Sequence, residues 1–154
     1  MKNLLKKYTM GFDSFGLCLF AVIMLPNLWW MAHPAPNDVL RVESATPVVD
    51  MIGSLCQVAM VFGLCFIRRV NAKPLRLSPP LVAALACVLV YLAAWGCYYA
   101  GLTNTLVILL LTLVPCAAFI LYLADRQNGI GLIPDALFTL CHVIFAIVNF
   151  LMVS

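Results

Sequence analysis

Asp135, His142 and Asn149 stand seven residues apart in the apolar stretch from Gly131 to Ser154. On a helix that spacing returns to one face. A carboxylate, an imidazole and an amide aligned in an apolar helix suit three kinds of chemistry: ligand binding, proton relay and interhelical hydrogen bonding. His142 falls near the middle of the stretch, where it is the side chain able to titrate near neutral pH. Pro134 reads as the first residue of the helix. Asp135 then becomes a first-turn acid that complements the helix dipole. Asn149 falls near the far end and reads as an interfacial amide. The face contracts to His142, with Thr139 one turn away and Gln57 of another apolar segment at matching depth. A hydrogen bond between His142 and Gln57 would satisfy both, and such bonds between membrane helices average about 0.6 kcal/mol.

The elements that must position these residues follow from composition. The chain has 154 residues, 65% of them hydrophobic and 10% charged. A soluble domain carries roughly twice that share of charge, so lipid must cover most of this surface. Five stretches are long and apolar enough to span, at residues 12–31, 47–67, 80–100, 105–124 and 132–152. The fold expected is an all-α integral membrane protein: residues 1–154 form a single transmembrane domain, one bundle of five helices. Helix starts are marked by Asp13, by Thr46 before Pro47 and by Ser78 before Pro79 and Pro80. Pro26 and Pro115 interrupt spans, and Pro115 frees a carbonyl that neighbouring helices must satisfy. The run from Gly11 to Met31 ends in Trp29 and Trp30 rather than small residues, which predicts a retained span and not a cleaved signal.

Basic residues set the orientation. Alternating spans put Lys2, Lys6, Lys7, Arg68, Arg69, Lys73, Arg76 and Arg126 on one side and Arg41 alone on the other. The N-terminus is therefore expected in the cytoplasm and the C-terminus outside, in a multi-pass plasma-membrane protein. Residues 1–10 read as a basic amphipathic lead-in on an anionic leaflet. The net charge of +3 belongs to this rim and implies anionic lipid rather than nucleic acid.

No carboxylate remains at mid-bilayer once Asp135 is assigned to a first turn, which argues against a carboxylate-driven pump. The sequence offers no catalytic constellation, no metal site and no cofactor motif. Seven cysteines are scattered without a CxxC pair, as small packing residues would be. Trp29, Trp30, Tyr91, Trp95, Tyr98 and Tyr99 gather toward the outer side. They read as an interfacial belt, except that Tyr91 is too deep for one. That depth makes Tyr91 and Trp95 candidates for lining a pocket with His142, Gln57 and Thr139.

The segments PNLWW at Pro26–Trp30 and PAPNDVLRVES at Pro34–Ser44 resemble a group of small five-span integral membrane proteins of Gram-positive bacteria. That group has no assigned activity, so the resemblance transfers no functional residue. Length and span number are also similar to the tryptophan-rich sensory proteins of the TspO type, which bind porphyrins and steroids. The loop AHPAPNDVLR at Ala32–Arg41 lacks their tryptophans and lysine, so the likeness is architectural. Two functional classes follow. One is a module that binds or transports a hydrophobic small molecule or lipid in a cavity near His142. The other is a structural or regulatory subunit that contacts a second copy or another membrane protein through its helices.

Overall fold

The computed structural model describes residues 7–41, 43–72 and 74–152. Lys2, Lys6 and Lys73 of the basic rim lie outside the described residues. Five helices are long and apolar enough to cross a membrane. These are α1 (Ser14–Ala32), α2 (Pro47–Phe66), α3 (Pro79–Tyr99), α4 (Thr105–Asp125) and α5 (Gly129–Ala146), the last extended by a π-helical turn at Ile147–Leu151.

Local chemistry explains most of the helix starts. Asp13, Ser78, Asn104 and Asn128 each accept a hydrogen bond from the backbone N–H three residues on, at 3.0–3.3 Å. Thr46 departs from the expected pattern. Its hydroxyl caps no N–H but meets the Asp50 carboxylate at 3.2 Å and the Ser44 hydroxyl. Ser78 also donates to Asp125, which ties the start of α3 to the end of α4.

A short antiparallel ribbon adds to the expected helices. Strand β1 (Tyr8–Met10) pairs with β2 (Ile67–Arg69), which continues directly from α2. The part of the amphipathic lead-in that is described is therefore extended and paired with the segment that follows α2. At the same end Asp13 accepts from Tyr122 at 2.8 Å and lies 4.0 Å from Arg126. Asn128 donates to the Gly63 and Ile67 carbonyls, both at 2.8 Å. That residue joins the start of α5 to the end of α2.

Packing is closest where side chains are absent. A Cβ on Gly63 would sit 2.8 Å from the Gly131 Cα, and one on Gly16 would sit 2.9 Å from the Leu64 carbonyl oxygen. Backbones thus touch where α2 crosses α5 and α1, as small residues allow in membrane bundles. The most enclosed helix is α4, with Cys116, Ala118, Tyr122 and Leu123 at or near zero exposure. Large apolar side chains such as Leu25, Leu55, Val58, Leu89, Leu106 and Ile133 point outward, which is the distribution expected when lipid is the solvent.

Candidate functional site

The aromatic set on α3 faces inward. Tyr91 and Tyr98 are buried at 1% and 0% exposure and Trp95 is buried beside them, whereas Trp29 is 58% exposed. The interfacial-belt reading therefore fails for Tyr91, Trp95 and Tyr98, because every third or fourth residue of that helix packs against α1 and α4, while Tyr99 stays half-buried. The Tyr91 hydroxyl accepts from Asn27 Nδ2 at 2.6 Å and donates to the Ile23 carbonyl at 3.2 Å. It pins α3 to the stretch of α1 next to Pro26.

Beside Tyr91 lies a cavity of about 250 Å³. All five helices contribute to it. Ile23, Asn27 and Trp30 come from α1, Gln57 from α2 and Tyr91 from α3. Leu111, Pro115, Cys116 and Phe119 come from α4, and Phe138 and His142 from α5. Leu111 and Pro115 are the two residues whose i to i−4 bond the proline abolishes, so the interruption in α4 borders this space. A second cavity, about 210 Å³, lies between α2 and α5 and is lined by Asp50, Gly53, Ser54, Gln57, Phe138, Cys141 and His142 among others. Gln57, Phe138 and His142 belong to both linings and form the partition between them. The Phe138 and His142 rings lie 4.1 Å apart, centroid to centroid.

His142, Gln57 and Tyr91 thus border one space. No hydrogen bond joins His142 to Gln57 among the described residues, contrary to the simplest expectation, because both side chains border the cavities instead. Trp95 does not belong to either lining. It packs edge-on against Tyr91, with ring centroids 6.3 Å apart. Thr139 is also absent from both linings, and its hydroxyl donates to the Asp135 carbonyl at 2.8 Å.

Asp135 departs from its expected place in a first turn. The last helix starts at Gly129, capped by Asn128, so Pro134 lies inside it and Asp135 is not in its first turn. The carboxyl group has no exposure, and neither oxygen has a hydrogen-bond partner among the described residues. Asn128 is of a residue type that caps helices, yet the start expected at Pro134 lies six residues further on. Asn149, expected as an interfacial amide near the far end of the span, does more than sit there. Buried in the π-helical turn, it accepts from the Ala45 N–H at 2.8 Å and donates to the Phe145 carbonyl at 2.9 Å and to Thr46 Oγ1 at 3.3 Å. It fastens the end of α5 to the start of α2.

No known protein family, curated protein or solved structure matches the chain.

Above the cavity, the loop between α1 and α2 is held by Asp38. Its Oδ1 accepts from Trp30 Nε1 and from the Tyr98 hydroxyl, both at 2.8 Å, and its Oδ2 accepts from Arg41 Nε at 2.7 Å. Arg41 also donates to the Trp30 carbonyl at 2.6 Å and lies 4.7 Å over the Trp30 ring. Burial alone would push the Asp38 carboxyl up, but the Trp30, Tyr98 and Arg41 hydrogen bonds outweigh it and hold the group below the ordinary aspartate range. Trp30 belongs both to this node and to the cavity lining, so the loop is fixed directly to the cavity wall. His33 in the same loop is exposed and stacks on Trp29 at 4.1 Å.

Proposed function

We propose that this chain is a multi-pass membrane protein that binds or transports a small hydrophobic molecule or lipid, held where His142 and Gln57 border the two cavities. The observation that carries the reading is the partition itself. An imidazole and an amide, unbonded to each other among the described residues, divide two half-open, mostly apolar spaces in a bundle of five helices. Ligand sites have this make-up, a mostly apolar wall with a few convergent polar groups. Size narrows the ligand. An apolar cavity of about 150 Å³ accommodates benzene, and drug-sized ligands take about 300 Å³ or more. Either chamber alone therefore suits a compact guest or one segment of a longer chain. The same reading places the basic end in the cytoplasm and the Asp38 loop outside, by the asymmetry of the basic residues. A plasma membrane with anionic lipid at that rim is the setting it implies.

The test is a thermal-shift screen of detergent-solubilised protein against lipids, porphyrins and hydrophobic cations, repeated on His142→Ala. Compounds that stabilise the native chain but not the variant support the reading. A screen in which nothing stabilises, or in which both proteins respond alike, refutes it. The rival reading, a subunit acting by helix contacts, draws on α3. A Cβ on Gly96 would meet nothing within 4 Å, and Ala100 is exposed. It requires a dimer or a co-purifying membrane partner, and a strictly monomeric protein that purifies alone would end it.

A further inference from the structure

We infer that Asp135 is a proton-binding site inside the bundle, placed next to the cavity so that its proton exchanges when the cavity admits water or a polar head. The carboxyl is wholly buried and, among the described residues, neither oxygen accepts a hydrogen bond. An isolated ionised carboxylate in a low-dielectric interior faces a desolvation cost that only a partner or a metal offsets. The helices packed against α5 are α2 and α4. The titratable side chains of α2 are engaged elsewhere. Asp50 lines the second cavity, Cys56 lies toward Cys141, and Cys65 lies toward Asp13. On α4, Tyr122 bonds to Asp13 and Asp125 accepts from Ser78, which leaves the Cys116 thiol as the titratable group facing Asp135. A thiol lends no positive charge. The form that fits these surroundings is the neutral acid.

Position gives the acid a role. Asp135, Phe138 and His142 follow one another at intervals of three and four residues along one stripe of α5, and the latter two line the cavity. Cys116 connects the same two places, facing Asp135 and belonging to the lining. A water or polar head that passes Phe138 meets the acid next. The Asp135 O–H bond then breaks, its proton goes to that water or to the His142 imidazole, and a carboxylate remains until a proton returns. This coupling rests on the binding or transport reading above, whereas the protonation itself does not.

The experiment is infrared spectroscopy of the full chain in liposomes, titrated with pH in H2O and D2O. At neutral pH the native protein is expected to show the carbonyl stretch of a protonated carboxylic acid. That band should move on deuteration, shift in Asp135→Glu and vanish in Asp135→Asn. Its absence from the folded native protein at neutral pH overturns the inference even if neither variant folds. So does a band that survives Asp135→Asn. The band needs no ligand, so the two proposals fail separately. A band with an empty ligand screen removes the binding reading alone, and a stabilising ligand with no band removes the proton site alone.

Discussion

Replacing Asp38 separates two contributions that its carboxylate combines. Oδ1 serves Trp30 and Tyr98 together, while Oδ2 serves Arg41. Asp38→Ala removes all three bonds. A hydrogen bond to a charged group contributes about 1.5–3 kcal/mol, and an exposed ion pair such as that with Arg41 about 0–1 kcal/mol. Solvent reaches this node, so the low end applies and the expected loss is about 3 kcal/mol. Asp38→Asn keeps an oxygen for Trp30 and Tyr98 and turns an N–H toward Arg41, so the loss should be about 1 kcal/mol. At about 2–4 °C per kcal/mol for a chain of this length, Tm should fall by about 6–12 °C for alanine and about 2–4 °C for asparagine. Thermal unfolding in detergent, followed by tryptophan fluorescence, reads both. The pH dependence has a definite sign. Because the folded-state value is held below the ordinary 3.8, this stabilisation is complete above the unfolded value and disappears as pH falls through the folded one, below about pH 4. Equal losses in the two variants, or none in either, would refute the idea that a shared oxygen holds the loop.

Gly63→Ala should lose about 1–3 kcal/mol, because its Cβ meets the Gly131 backbone, which cannot step aside. Gly96→Ala, with nothing within reach, should gain about 0.5–1 kcal/mol by the same thermal assay. Asn149→Ala strips the Ala45 N–H of its acceptor and should cost about 1–3 kcal/mol. Hydrogen–deuterium exchange should quicken at that amide while the ribbon amide of Val70, bonded to the Lys7 carbonyl, stays unchanged.

How far the sequence could be read depended on the range of the interaction. Span positions were legible because about 20 apolar residues in a row have few other uses, and the Asp13 and Ser78 caps act within three residues. The ribbon was hidden because Tyr8–Met10 finds its partner far along the chain, at Ile67–Arg69. Cavity lining by His142, Gln57 and Tyr91 could be suggested from depth alone. Depth does not say which way a side chain turns, and on that point Trp95 and Thr139 differ from the other three. Asp135 was misplaced by a local ambiguity. Asn128 and Pro134 are both start signals, and the earlier one wins because its side chain also satisfies the Gly63 and Ile67 carbonyls across the bundle. No local rule contains that reward.

The pairing of α2 with α5 has a mechanical consequence. The two are clamped at one end by Gly63 on Gly131 and at the other by Asn149 on Ala45, with a hollow in between. A bow strung at both tips cannot open like a pair of tongs. Passage between the chambers would then fall to the swing of the Gln57, Phe138 and His142 side chains rather than to the microsecond-to-millisecond rocking of whole helices. A carrier built this way would resemble a turnstile more than an alternating door.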